Sequence, residues 1–356
     1  MASTDAGSDA WRTVLWRGAV IPAHLLALDA RRQLDERRQR ALSRYYLDAG
    51  AGGMAVGVHS TQFAIRERGL YRPVLELAMD EARHWQPLGG SRPLVMIAGL
   101  SGPTPQAVAE ARTAQDLGYH AGLLSLAALR GQDEDALVAH CRAVAEVLPV
   151  VGFYLQPAVG GIHLPTSFWR RFAAIENVVA IKMAPFNRYR TLDVLRGVAE
   201  AGAEQRVALY TGNDDHIVLD LLTPFALRRG QEPVTLRIRG GLLGHWSVGT
   251  RRAVELLERI HTAVETGPVP PELLALDAQV TDCNAALFDV EHDFHGCIAG
   301  CHEVLRRQGL LEGIWCLDPQ ESLSPGQADE LTRVHDAYPH LHDDDFVAAH
   351  LDRWLA

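Results

Sequence analysis

Of the 34 basic residues in this chain, 33 are arginine; the single lysine is Lys182, in the apolar run Val178-Val179-Ala180-Ile181-Lys182-Met183-Ala184. Arginine keeps its proton in a protein, whereas a buried lysine can be made a neutral nucleophile. A lone lysine ending an apolar strand is therefore a candidate Schiff-base residue. The plainer reading is a lysine kept by chance or in a buried ion pair. A second candidate is Tyr154, in Gly152-Phe153-Tyr154-Leu155-Gln156-Pro157, 28 residues earlier. If these segments are adjacent parallel strands, about 4.8 Å apart, Tyr154 and Lys182 point into one mouth. A phenol beside an amine is a sensible proton shuttle for carbinolamine formation and breakdown. Alone, Tyr154 reads as a core aromatic with its hydroxyl satisfied locally. A free lysine is neutral in only roughly one molecule in 2,500 at pH 7, so the chemistry requires burial to lower its pKa.

The elements that must position the pair alternate along the chain. Apolar, β-rich runs fall at 13–22, 53–58, 93–100, 121–127, 150–156, 178–184, 207–212 and 235–241. Helical patterns lie between them, among others at 29–49, 104–117, 134–148, 191–201 and 250–262. Eight strands alternating with helices predict an α/β fold, a (β/α)8 TIM barrel over 13–265. A doubly wound open sheet is the competing fold, but no G-x-G-x-x-G follows the first strand. Gly267-Pro268-Val269-Pro270-Pro271 reads as a linker. Beyond it, 266–356 is a C-terminal helical extension with helices expected at 272–288, 297–308, 325–337 and 345–355. Ser324-Pro325 reads as an N-cap followed by proline at the first helical position, and Asp343-Asp344-Asp345 as the cap of the last helix. Residues 1–12 read as a disordered N-terminal tail, with neither a basic nor an apolar signal region.

A hydrophobic content of 47% and a net charge of -10 fit a globular protein and argue against a nucleic-acid or anionic-membrane surface. No apolar stretch approaches a membrane span. Five irregularly spaced cysteines suit free thiols in a reducing cytoplasm. Cys297-x3-Cys301-His302, with His292 and His295, departs from zinc spacing and reads as small residues at a helix contact. His335, His340 and His342 beside Asp343 read as a solvated turn. No metal or organic cofactor is called for.

Tyr-x-x-Pro on the fifth strand and Ile-Lys on the sixth resemble the dihydrodipicolinate synthase/N-acetylneuraminate lyase family, pyruvate-dependent class I aldolases and related lyases. Further matches run in order over roughly 13–265: Gly18-Ala19-Val20-Ile21-Pro22, Pro93-Leu94-Val95-Met96-Ile97-Ala98-Gly99, Gly212-Asn213-Asp214-Asp215 and Gly240-Gly241-Leu242-Leu243-Gly244. The resemblance implies that Lys182 forms an imine with a 2-oxo acid and that Tyr154 moves protons. It places the carboxylate-binding turn after strand two, at Val58, His59 and Ser60, and adds Asn213, Gly241 and Leu242 to the substrate-binding residues. It also implies a homo-oligomer, tetramer or dimer, acting on a small 2-oxo acid and possibly an aldehyde.

The chain departs from the family's pattern in places. The usual hydroxyl pair of the carboxylate turn is replaced by Val58 and His59, followed by Ser60. Ser125-Leu126-Ala127-Ala128-Leu129 lacks the synthases' paired tyrosines, and Val159-Gly160-Gly161 stands where they carry an arginine for the second substrate. These losses argue for a different aldehyde partner or for a 2-oxo acid dehydratase using the same imine. A catalytically retired barrel that binds a 2-oxo acid is the third reading. His245-Trp246 and Phe63 are candidates to line a more aromatic pocket.

Overall fold

The computed structural model describes residues 10–356; positions 1–9 of the expected tail lie outside the described residues. Its strands are β1 (Val20–Pro22), β2 (Gly53–Val56), β3 (Val95–Leu100), β4 (Ala121–Leu124), β5 (Val150–Leu155), β6 (Val178–Ala184), β7 (Ala208–Thr211), β8 (Phe225–Arg229), β9 (Glu232–Leu236) and β10 (Gly240–Leu243). Eight of them form a parallel sheet in the order β1-β10-β7-β6-β5-β4-β3-β2. A single bridge from Ala23 to Ala55, with the His24 N–H donating to Ala55 O at 2.8 Å, joins the two edges. The expected TIM barrel is therefore what forms, closed at one seam by a minimal contact.

Side chains alternate between two dry layers, as the pleat demands. Ile21, Ala55, Ile97, Leu123, Val151, Phe153, Ala180, Ala208 and Leu242 fill the lumen. Val56, Leu124, Tyr154, Ile181, Met183 and Leu209 face the surrounding helices. Helices Thr104–Leu117, Glu134–Ala145 and Thr250–Thr266 lie where the apolar periodicity puts them.

Two expected strands are corrected. The first half of the 13–22 run is helix Ala10–Arg17, so residues 10–12 are not a disordered tail either. Trp11 and Leu15, one helical turn apart, enter the lumen from its N-terminal end. The Tyr210 hydroxyl donates to Leu15 O at 2.8 Å and holds that helix in place. The run at 235–241 is split. Thr235 and Leu236 close an antiparallel hairpin with β8, and the eighth barrel strand begins only at Gly240. A Cβ at Gly240 would sit 2.5 Å from Ala19 N and O, so only glycine allows this approach of β10 to β1.

The extension consists of helices Pro271–Leu287, Cys297–Arg307, Gln327–Ala337 and Asp344–Leu355, sharing one hydrophobic cluster with the barrel's outer layer. Two expected caps are corrected. The third of these helices begins at Gln327 behind Gly326, whose φ of 84° is left-handed, and the Ser324 hydroxyl donates to Asp289 instead. Asp343 makes no side-chain cap on its own helix. Its carboxylate accepts from Arg251 N at 2.7 Å, Arg252 N at 3.0 Å and the Tyr45 hydroxyl at 2.6 Å, so it caps the 250–266 helix and ties the extension to the barrel. Among the described residues, no helix is long and apolar enough to cross a membrane.

Candidate active site

Lys182 projects from β6 into a cavity of about 90 Å³ at the C-terminal mouth of the barrel. Its neighbours on the inward face are Ala180 and Ala184, whose small side chains leave it room. Burial lowers its pKa to about 8 against an upward pull from the Asp214 carboxylate. A pKa near 8 makes a substantial neutral fraction available close to neutral pH.

The expected partnership with Tyr154 is not formed. Val150 pairs with Val178, an offset of 28, but Val151 pairs with Ala180, an offset of 29. The extra residue, Val179, is a bulge in β6. Above it, Phe153 stands opposite Lys182 and Tyr154 opposite Met183. A one-residue change of register sends a side chain to the other face of the sheet. The bulge turns Lys182 into the lumen, while the unbroken pleat of β5, with Val151, Phe153 and Leu155 inward, leaves Tyr154 pointing to the helices. Tyr154 lies 5.3 Å from the Trp169 ring, with its hydroxyl 3.3 Å from His163 Nδ1 and accepting from Leu164 N at 3.4 Å. The group beside the lysine is the Phe153 ring, whose centroid lies 4.6 Å from Nζ.

The loop after β2 contributes Val58, His59 and Ser60 to the cavity wall. Thr61 fastens this loop by donating to His24 O at 2.6 Å while accepting from Gly57 N at 3.0 Å. Arg66 braces it from behind. It pairs with Glu110 at 2.8 Å, and its guanidinium donates to Gly57 O and Gly99 O, linking the ends of β2 and β3. Ser60 donates its hydroxyl proton to Ala23 O at 2.9 Å. Burial, aided by the Lys182 charge, lowers the His59 pKa to about 4, so its imidazole is neutral near pH 7. Phe63 packs edge-on against His59, with 5.8 Å between the rings, and does not line the cavity.

The loop after β7 supplies Gly212 and Asp214. A Cβ at Gly212 would lie 2.5 Å from Lys182 Cε, so glycine is required for the lysine to occupy its channel. Burial raises the Asp214 carboxyl to about 8, opposed by Lys182 and reinforced by Asp215. Its Oδ1 is buried without a hydrogen-bond partner. Asn213, expected to bind substrate, turns away. Its amide donates to Thr191 Oγ1 at 3.2 Å and Asp220 Oδ2 at 2.9 Å, and its oxygen accepts from Phe186 N at 3.2 Å. It thereby holds Phe186 in a left-handed conformation, φ 47°, on the cavity wall. Gly241 and Leu242 do not reach the cavity either: Gly241 sits against Trp246, and Leu242 is packed in the lumen. From the segment after β10 it is Gly244 that lines the site.

The extension roofs the mouth. Phe288, Phe294, Cys297, Ile298 and Cys301 complete the cavity wall, and Phe294, φ 67°, meets Phe186 with 5.7 Å between rings. Asn284 donates to Asp214 O at 2.7 Å, fixing the carboxylate's loop from above. His245 is bonded to that same Asn284 and stands outside the cavity. The aromatic lining is thus real but comes from Phe153, Phe186, Phe288 and Phe294 rather than from His245, Trp246 or Phe63. Burial raises the Cys297 thiol to about 12, which keeps it protonated. Among the described residues no three His, Cys, Asp or Glu side chains are grouped to hold a metal ion.

The site therefore offers an amine of lowered pKa, a carboxyl of raised pKa and an apolar enclosure. Asp214 is not singled out by the sequence alone: it stands in the Gly212-Asn213-Asp214-Asp215 segment beside Asn213, the residue expected to bind substrate.

Comparison with known proteins bears on the same features. The model of the Dihydrodipicolinate synthetase family matches residues 17–224. A 4-hydroxy-tetrahydrodipicolinate synthase of Desulforudis audaxviator is 28% identical over 269 residues, 71% of this chain and 85% of that protein. The enzyme of the same name from Synechococcus elongatus is 28% identical over 212 residues, 58% of this chain and 65% of that one. The fold matches DHDPS from Cyanidioschyzon merolae with lysine bound, at TM-score 0.72 and 20% identity over 92% of this chain and 99% of that chain. It also matches N-acetylneuraminate lyase from Fusobacterium nucleatum, at TM-score 0.70 and 16% identity over 91% and 99% of the two chains.

Proposed function

Because the chain belongs to the dihydrodipicolinate synthetase family, whose members are lyases of the class I aldolase type, we propose that it is a Schiff-base lyase acting on a 2-oxo acid, pyruvate first among them, through Lys182. The observation that carries this reading is the sole lysine of the chain, placed in the barrel mouth with its pKa lowered to about 8. The amine attacks the ketone carbon, water leaves, and the protonated imine accepts the electron pair released when a bond at C3 breaks. The loop at Val58, His59 and Ser60 is where the substrate carboxylate lies, with backbone N–H groups as donors.

The second reactant in this reading is a small apolar aldehyde. Phe186, Phe288, Phe294 and Ile298 line the cavity with Lys182, and among the described residues no arginine lines it. A charged partner would lose its hydration there without an ion pair in return.

The test is proton exchange at C3 of pyruvate in deuterated water, followed by NMR. Exchange needs the imine and its enamine but no partner. The reading expects exchange with wild type and none with Lys182→Ala; equal exchange in both would refute it. Aldehydes of rising polarity then report on the partner, with products expected from apolar ones.

Phe153 in place of a phenol beside Lys182 favours one other reading, a retired barrel that binds a 2-oxo acid without turnover. It requires an imine that can be trapped but no C3 exchange and no aldol product.

A further inference from the structure

We infer that Asp214 is the group that passes the proton at Lys182, standing in for a phenol. The inference rests on Lys182 being the imine former. Its ground is geometric. Asp214, on the loop after β7, and Lys182, on the adjacent strand β6, line one small cavity, and Oδ1 of the carboxyl is buried with no partner. Such an atom carries a desolvation cost, and of the seven among the described residues it is the one whose residue lines this cavity. The strand-five position opposite Lys182 holds Phe153, which has no proton to give; Tyr154 is on the other face of the sheet, and Tyr210, opposite Lys182 on β7, has its hydroxyl committed to Leu15 O at 2.8 Å.

The remaining ionisable groups around the pair do not serve. His59 is neutral, with its pKa near 4, and cannot act as an acid at pH 7. Burial raises the Cys297 and Cys301 thiols, which makes them poor donors. Asp215 is exposed and acts on Asp214 through its charge. Glu321, raised to about 7, acts on the two thiols. Asp214 itself, raised to about 8, still carries a proton near neutral pH.

The step balances. Neutral Lys182 bonds to C2 of the 2-oxo acid while the C=O π pair moves to oxygen, which takes the Asp214 proton. The nitrogen then gives one of its two hydrogens to the departing oxygen as the C–O bond breaks and the C=N bond forms. Amine, ketone and carboxylic acid become protonated imine, water and carboxylate. The new cation and anion face one another in a poorly solvated space, where their attraction is strongest. The carboxylate is then placed to remove a proton from C3, giving the enamine.

The test is the rate of imine formation with pyruvate, trapped by borohydride and read by intact mass, from pH 6 to 10. The pair works with one proton shared between amine and acid, so its apparent pKa values belong to both groups. Wild type is expected to give a bell centred near pH 8. In Asp214→Asn the rate at pH 8 should drop by about 100-fold and the falling limb should vanish. The rising limb should move to lower pH, because the charge that holds the lysine's pKa up is gone. A packing role for Asp214 would change the rate without changing the shape. Equal rates and equal profiles in the two proteins would overturn the inference and leave Lys182 standing. A wild-type profile that rises to a plateau with no falling limb would overturn it even if the variant fails to fold. No adduct on wild type with any 2-oxo acid would overturn the Lys182 reading and this one with it.

Discussion

At its N-terminal end the barrel lumen is stopped by the 10–17 helix, whose Trp11 stacks on His120 at 5.4 Å and whose Leu15 carbonyl takes the Tyr210 hydroxyl. At the C-terminal end the roof comes from the far end of the chain, through Phe288, Phe294 and the 297–307 helix. The lower closure is apolar and its one buried hydroxyl is satisfied. The upper closure leaves a cavity, an orphan carboxylate oxygen, a lysine of depressed pKa and two phenylalanines, Phe186 and Phe294, at positive φ. Backbone conformations of that kind cost of order 1–3 kcal/mol each and persist only where the surroundings enforce them. One lumen thus separates a region optimised for packing from a region that retains unfavourable features around reactive groups. The packed closure and the candidate reactive groups lie at opposite ends of one barrel.

The strongest way to break the comparison is at Lys182. Lys182→Arg should abolish imine formation, since no neutral amine remains, and should lower the urea midpoint modestly, because a bulkier, permanently charged group must enter a channel with no spare room at Gly212. Gly212→Ala comes next. Its methyl would collide with Lys182 Cε at 2.5 Å, and displacing the amine by about 1 Å should slow trapping by about 100-fold. The Trp11→Ala exchange at the opposite end should do the reverse. Truncating this buried indole should cost about 3–5 kcal/mol of stability, read by urea unfolding, with the trapping rate of the folded protein unchanged. The smallest effect is expected from Phe294→Ala, which opens the roof opposite Phe186. Competition assays should show a few-fold shift towards bulkier aldehydes, about 1 kcal/mol or less, the low end of what an apolar pocket discriminates.

The barrel and Lys182 were legible in the chain because each rests on a local signal. Alternating apolar runs mark the strands, and one lysine among 33 arginines marks the candidate nucleophile. The companion of Lys182 was not legible. A 28-residue spacing matches the register at Val150 and Val178, and nothing in the composition of Val178-Val179-Ala180 announces that Val179 bulges and turns Lys182 to the face opposite that of Tyr154. The 10–17 helix was hidden by Thr13-Val14-Leu15-Trp16, a β-prone string whose helical state comes from tertiary burial of Trp11 and Leu15. Asn213 and Asp214 are adjacent and equally polar, and only the structure separates the one bound to Thr191 and Asp220 from the one facing the lysine. The roof was out of reach for the same reason: the extension was legible as helices, but which barrel end they cover depends on contacts such as Asn284 to Asp214 and Leu317 N to Gln62.

The central claim is that Lys182 forms an imine, and a chain with one lysine permits an unusually direct test. Wild type and Lys182→Ala would each be incubated with pyruvate and borohydride, and the intact masses and the modified peptide determined. The account predicts one reduced pyruvate adduct on wild type, located in the peptide that contains Lys182, and none on the variant. An adduct of equal extent on Lys182→Ala, or a folded wild type that stays unmodified with pyruvate and with larger 2-oxo acids, would contradict it.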